Sequence, residues 1–445
     1  MSQAPLPGTA YADTLSFLFE RLPMYQRVGP VAYKKDLGNI LALMRGLGRP
    51  HHRFASVHIA GTNGKGSVAH GLAAVLQAAG YRVGLYTSPH LVDFRERIRL
   101  QGEPVSKEEV VDFVDRIRPL IEEHHPSFFE ITVAMAFERF AAWEVDIAVV
   151  ETGLGGRLDS TNILHPLVSV ITSIGHDHQA MLGPDLPSIA REKAGIVKPG
   201  VPLVLGEFRE DTYPVFRQTA ERNQAALYLA PETVRLSGLQ VAMDGIRATW
   251  QRPGLPPLAD LLFGLGADYQ VGNLRCILQT GSLLERHGLQ ISDAAWKTGL
   301  SQVKTMTGFR GRWDVLQEKP LLLVDGAHNP EGLRAFFGQV TALPASKLHV
   351  VTGTVNDKDL DTVLPCFPTS AQYYFARPNI PRGLEALELR DQAARHGLIG
   401  DAYASIPAAL DQALAVAAED EAIIVCGSLF AVAEVPYERW EPQPE

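Results

Sequence analysis

The stretch Ala55-Ser-Val-His-Ile-Ala-Gly-Thr-Asn-Gly-Lys-Gly-Ser-Val-Ala69 decides how the rest of the chain is read. Its first six residues form a short apolar, β-branched run, and Val68 to Ala79 follows with helical patterning, closed by Gly80 at the C′ position. Between them Gly61-Thr-Asn-Gly-Lys-Gly-Ser67 packs three glycines, a lysine and a serine into one strand-to-helix turn. Glycines let the backbone turn tightly and aim N–H groups inward, and the helix start adds a positive end. Lys65 supplies a mobile cation for β- and γ-phosphate oxygens, and Ser67 a hydroxyl near phosphate and metal. The loop is a phosphate cradle, although it departs from the common G-x-x-x-x-G-K-[ST] spacing: Ile59 stands at the first glycine position and Gly66 separates the lysine from the serine.

Working outward, apolar strands alternate with helical patterns. Arg82 to Thr87, Val145 to Val150 and Leu167 to Ile174 read as strands. Ser106-Lys-Glu-Glu109 reads as a capping box before a helix with Val110, Phe113, Val114, Ile117, Leu120 and Ile121 on one face. A second series follows: strands Leu321–Val324, Leu348–Thr352, Gln372–Ala376 and Ala422–Val425, with helices over Glu331–Leu343, Leu384–His396 and Ile406–Glu419. Such alternation implies crossover units and mostly parallel sheets. The expected architecture is α/β: a P-loop parallel-sheet ATPase domain over 1–304, a linker over 305–312 with two glycines and no clear periodicity, and a smaller Rossmann-like α/β domain over 313–445. Residues 208–260, less regular and rich in Pro and Gly, suggest a small antiparallel excursion.

Composition bounds the function. The 445 residues are 46% hydrophobic and 20% charged, an ordinary globular balance with room for two or three domains of about 100–200 residues each. Forty-one Lys and Arg against 50 Asp and Glu give a charge of -9, which argues against a nucleic-acid partner. Cys276, Cys366 and Cys426 are few, odd in number and far apart, which fits a reducing compartment better than a disulfide framework. The N-terminal segment lacks a basic region before its apolar stretch, so no secretory signal is expected. The uncharged run from Ala422 to Ala433 is shorter than the roughly 20 residues that span a bilayer. A cytoplasmic protein without a membrane partner is the expectation.

Other residues stand where a parallel sheet presents ligands. Glu151 follows the strand Val145–Val150, where a carboxylate can hold Mg²⁺, a hard cation that wants oxygen. His178 closes Gly-His-Asp-His178 after another strand. Asp325-Gly-Ala-His-Asn-Pro330 gathers an acid, an imidazole and an amide at a strand end. Taken alone, each also reads as an ordinary structural residue, and Lys193 in Arg191-Glu-Lys-Ala-Gly195 as a solvated helix lysine. Gly153-Leu-Gly-Gly-Arg-Leu158 is not a dinucleotide fingerprint, because Leu158 stands where the third glycine is required.

Together with Tyr86-Thr-Ser-Pro-His90 and Glu151-Thr-Gly-Leu-Gly-Gly-Arg-Leu-Asp-Ser-Thr-Asn162, these segments resemble the folylpolyglutamate synthase/dihydrofolate synthase family of the Mur ligase superfamily, from about residue 25 to 430. The resemblance implies an ATP-dependent ligase that joins L-glutamate to a folate or dihydropteroate carboxylate through an acyl phosphate. It aligns Thr62, Asn63, Gly64, Lys65, Gly66 and Ser67 with the ATP loop, and Asn273, Arg312 and Asp325 with further nucleotide contacts. It places Ser88, Glu151 and His178 on Mg²⁺, two ions in all, and makes Lys193 a carbamate. His328 helps shape the catalytic site beside Lys65 and Lys193. Phe128, Phe129 and Glu130, with Leu158, Asp159 and Ser160, align with segments around the pterin. A monomer acting on small molecules is implied. Near the N-terminus Met24-Tyr-Gln-Arg-Val-Gly-Pro-Val-Ala-Tyr33 keeps only Arg27-Val28 of a segment that relatives place at the pterin pocket. A cell-wall Mur ligase shares the cradle, but usually needs an added N-terminal domain, and only about 50 residues precede the first strand. A P-loop sensor would bind ATP without ligating and would need neither Lys193 nor the Asp325–Pro330 loop.

Overall fold

The computed structural model describes residues 7–23, 36–356 and 358–440. The chain divides into two compact units, one of residues 1–239, 248–263 and 272–308, the other of 240–247, 264–271 and 309–445. The short segments 240–247 and 264–271 thus group with the second unit, although the sequence reading placed them in the first domain.

The first unit is built on an eight-stranded sheet. Its strands are β1 (Ala55–Ala60), β2 (Val83–Tyr86), β3 (Ile98–Leu100), β4 (Glu103–Pro104), β5 (Ile147–Glu151), β6 (Val168–Ile171), β7 (Leu203–Leu205) and β8 (Leu227–Leu229), in the order β4-β3-β2-β5-β1-β6-β7-β8. From β2 to β8 every neighbouring pair is parallel, while β3 and β4 add an antiparallel edge. The central strands β1, β2, β5 and β6 are almost wholly buried, which explains their continuous apolar runs. Because β1 lies between β5 and β6, with Ile59 opposite both Glu151 and Val170, three strand ends open onto the cradle. That is where an open parallel sheet receives ligands.

The cradle helix runs Lys65–Ala78 and is buried from Ser67 to Leu76. The capping box at Ser106 forms as expected, and Lys107–His124 buries Val110, Phe113, Val114, Ile117 and Ile121. The helix Phe128–Ala142, absent from the sequence reading, is buried over most of its surface, so its apolar residues show no clear stripe. Residues 305–307, expected as linker, belong to the helix Val303–Thr307. Val303 and Thr307 are buried one turn apart, and Gly308 ends the helix at φ +63°.

Largely within the stretch expected to hold a small excursion, β9 (Arg235–Ala242), β10 (Gly245–Gln251) and β11 (Leu258–Phe263) form a sheet of their own in the order β11-β10-β9. The second unit carries a six-stranded sheet of β12 (Asp314–Glu318), β13 (Leu321–Val324), β14 (Leu348–Thr352), β15 (Gln372–Ala376), β16 (Gly400–Tyr403) and β17 (Ala422–Cys426). The order is β12-β13-β17-β14-β15-β16, parallel except for β12. Trp313, Phe336, Phe337, Tyr373 and Phe375 fill its core. Among the described residues no helix is long and apolar enough to cross a membrane.

Candidate active site

Two glycines make the cradle possible. A Cβ on Gly61 would overlap the Thr172 hydroxyl. Gly64 sits at φ +87°, and a Cβ there would overlap the amide oxygen of Asn273. The loop is tied down from β6: Thr62 N donates to the Ser173 carbonyl at 2.8 Å, and Gly175 N donates to Thr62 Oγ1 at 2.9 Å. Asn63 N donates to Ser173 Oγ at 3.0 Å, and Thr172 Oγ1 donates to the Asn63 carbonyl at 2.6 Å. Gly66 and Ser67 lie in the first turn of the cradle helix, whose amides have no intrahelical acceptor.

Lys65 Nζ donates to the Thr62 carbonyl at 3.2 Å and lies 3.9 Å from Glu151 Oε1. Glu151 is the last residue of β5 rather than the residue after it, and is only 5% exposed. Its other oxygen accepts from Ser88 N at 3.3 Å. Ser88 and Glu151, two of the three expected metal residues, are therefore side by side. The third, His178, sits in a left-handed conformation with its Nε2 3.6 Å from the Asp177 carboxylate. Among the described residues no group of three or more His, Cys, Asp or Glu could hold a metal. The pair is nevertheless suited to Mg²⁺, because a carboxylate and a hydroxyl are hard oxygen donors and this ion takes its other ligands from water and phosphate.

Lys193 is not a solvated helix lysine. It is 4% exposed, and its Nζ donates to the Gly61 carbonyl at 2.7 Å, behind the cradle. Burial, then the Lys65 charge, pulls its ammonium down to about 7, against the opposing pull of Asp177 and Asp159. The helix Leu186–Ala194 that carries it abuts the loop after β5. Arg157 N donates to the Glu192 carbonyl at 2.7 Å, and Asn162 Nδ2 donates to the Gly195 carbonyl at 3.0 Å.

The residues aligned with the pterin segments divide. Phe128 is buried and Phe129 half-buried, the latter lying over Gly153. Glu130 is occupied as a helix cap, accepting from Ser127 N at 2.7 Å and Ser127 Oγ at 2.8 Å. Asp159 organises its own loop: one oxygen accepts from Gly153 N and Leu154 N, the other from Thr161 N and Thr161 Oγ1. Leu158 is half-buried and Ser160 buried. The segment Met24–Tyr33 lies outside the described residues.

In the second unit Asp325, at the end of β13, accepts from Tyr269 Oη at 2.6 Å, Trp313 N at 2.9 Å and Ala327 N at 2.8 Å. Burial raises its carboxyl and the Arg312 guanidinium opposes that rise. Arg312 Nη1 donates to the Gly311 carbonyl at 2.7 Å. The His328 Nδ1 lies 2.8 Å from the Gly326 carbonyl, which makes it the protonated nitrogen, and Asn329 caps the helix Pro330–Val340. Sequence reading missed Tyr269 and Thr172, which carry no motif and reach the site only through the fold. Asn273 lies in the first unit against Gly64.

Known proteins bear on this geometry. Residues 59–202 match the Mur ligase middle domain, and residues 311–429 match the Mur ligase glutamate ligase domain. The Bacillus subtilis dihydrofolate synthase/folylpolyglutamate synthase is 32% identical over 96% of this chain and 98% of its own length. The Escherichia coli protein of the same name is 31% identical over 85% of each chain. The structure of Escherichia coli FolC in complex with DHPP and ADP covers 97% of this chain and 98% of its own, with a TM-score of 0.84 at 30% identity. The Mycobacterium tuberculosis folylpolyglutamate synthase complexed with ADP gives a TM-score of 0.86 at 29% identity, covering 99% of this chain and all of its own. With a cradle of this build and matches of this length, the chain belongs to the folylpolyglutamate synthase/dihydrofolate synthase family of Mur ligases.

Proposed function

We propose that the protein is an ATP-dependent ligase that joins L-glutamate to the carboxylate of a folate or dihydropteroate, releasing ADP and phosphate. The observation that carries this reading is the meeting of Lys65, Glu151 and Ser88 at the cradle mouth, with Lys193 buried behind it. A carboxylate oxygen of the acceptor attacks the γ-phosphorus of ATP, and the bond to the β-phosphate oxygen breaks to release ADP. The amine of glutamate then attacks the acyl carbon, phosphate leaves, and the amine loses its proton.

Lys65 and the helix N-terminus would hold the phosphates and meet charge as it moves onto the β-phosphate. Glu151, Ser88 and His178, with Lys193 as a carbamate, would hold two Mg²⁺, which when bound neutralise phosphate charge. The carbamate forms when the neutral amine attacks CO₂, making an N–C bond and releasing a proton; a lysine pulled down to about 7 supplies that amine near neutral pH. Asp325 and Arg312 would contact the nucleotide, and His328 would help shape the catalytic site. We place the enzyme in the cytoplasm, which suits three unbridged cysteines, and as a monomer, since one chain carries both Mur ligase domains. Phosphate release from ATP that requires acceptor and glutamate together tests the reading; release that ignores either one contradicts it.

A further inference from the structure

The turn between β2 and β3 holds a buried arginine that, among the described residues, has no carboxylate within ion-pair distance. Arg97 is 3% exposed, as deep as Glu151. Its Nε donates to His90 Nδ1 at 2.7 Å, and its guanidinium lies 5.2 Å from the centre of the Phe128 ring. Its other polar neighbour is the Tyr86 hydroxyl, which is neutral. The surrounding charges are spent elsewhere. Asp93 takes Arg95 with both oxygens. Glu96 accepts from Leu91 N, Val92 N and Asp93 N. Asp159 accepts four donors within its own loop. A buried cation normally has a hydrogen-bonded counter-charge, because leaving it without one is costly.

A second polar group lies in the same place. Tyr86, at the end of β2, is fully buried, and its hydroxyl has no partner other than the Arg97 guanidinium beside it. It lies in electrostatic reach of both Arg97 and Glu151. Aromatic rings surround the pair: Phe129 is 6.3 Å from Tyr86, and Phe19 and Phe94 are 5.5 Å and 5.9 Å from Phe128. Phe19 and Phe129 are both half-buried. A guanidinium and a phenol among aromatic rings, beside the carboxylate at the cradle mouth, suit a planar aromatic acid.

We propose that Arg97, with the Tyr86 hydroxyl, binds the acceptor's carboxylate and thereby selects an aromatic acid over its uncharged analogue. The proposal rests on the ligase reading above and names the group within it that receives the acceptor. It answers an electrostatic need of that reaction, in which one anion must approach another beside Glu151. A guanidinium offers paired N–H donors that match a carboxylate, and burial strengthens the attraction.

The test is a binding titration of dihydropteroate and its carboxamide against the wild type, Arg97→Met and Tyr86→Phe, with thermal midpoints recorded for each. The wild type is expected to favour the acid by about 10-fold or more. Arg97→Met should bring that ratio close to one while leaving carboxamide binding largely intact, and Tyr86→Phe should lower the ratio several-fold. A wild type with no preference overturns the proposal, as does an Arg97→Met protein that keeps the preference or loses acid and amide affinity equally. If Arg97→Met does not fold, an unchanged ratio in Tyr86→Phe overturns it. A wild type that binds neither compound strikes the ligase reading instead; one that ligates glutamate without discriminating acid from amide strikes this proposal alone.

Discussion

The Lys193 ammonium donates to the carbonyl of Gly61 at 2.7 Å, so the lysine of one helix is pinned to the first residue of the phosphate cradle. Lys193→Ala removes both the anchor and the group that would become a carbamate. Activity should fall by about 100-fold or more, in the range seen when one electrostatic partner of a transition state is deleted. Added formate or acetate should restore part of it, because a small carboxylate replaces the missing oxygens. Full activity in the variant, or rescue by methylamine and not by carboxylates, would contradict the role.

Glu151 stands between Lys65 and the Ser88 amide. Glu151→Gln keeps its shape and removes its charge. Turnover should be lost at ordinary Mg²⁺ concentrations, and raising Mg²⁺ should recover part of it. The thermal midpoint should change little, since the glutamine oxygen can still accept from Ser88 N and only the 3.9 Å contact with Lys65 loses its charge. Turnover near wild type would sink the metal assignment.

Much of this site was legible in the chain because its chemistry is local. Gly61–Ser67 announces a cradle by glycine spacing alone, and the capping box at Ser106 forms as its spacing requires. What was illegible depends on burial. Lys193 has the sequence context of a surface residue, and only the packing of its helix on the loop after β5 takes it inside. Glu130, aligned with a pterin segment, also caps its helix, a role Ser127-x-x-Glu130 spells out as a capping box. The helix Phe128–Ala142 escaped notice because burial on many sides erases the stripe that marks a surface helix.

Tyr269 reaches the expected nucleotide residue Asp325 at 2.6 Å. Tyr269→Phe leaves a buried carboxylate with one donor fewer, at a cost of about 1–3 kcal/mol. KM for ATP should rise several-fold while KM for glutamate stays put. Steady-state kinetics with each substrate varied decides it, and equal changes in both constants would mean a general loosening instead.

Acid should destabilise the protein early. Burial holds His58 and His90 neutral, each down to about 3, and His70 well below the ordinary value of 6.5. In the unfolded chain these rings take up protons below about 6.5, while the folded chain refuses them. Their contribution is therefore complete above that pH and is lost as pH falls towards the folded values. By pH 5 each such ring costs about 2 kcal/mol. Thermal midpoints measured from about pH 7.5 down to 5 should fall steadily, and His58→Asn should make the decline shallower. A midpoint that is flat over this interval would contradict the assignment.

The central claim is the bond that the enzyme makes, and product mass reads it directly. Purified protein is incubated with ATP, Mg²⁺ and L-glutamate, with dihydropteroate in one tube and tetrahydrofolate in another. The account predicts an acceptor heavier by a glutamyl residue in at least one tube, formed only with ATP and matched by ADP. Gain in the first tube identifies dihydrofolate synthesis, gain in the second polyglutamylation, and gain in both a bifunctional enzyme. Bound ATP with no adduct in either tube would contradict the account.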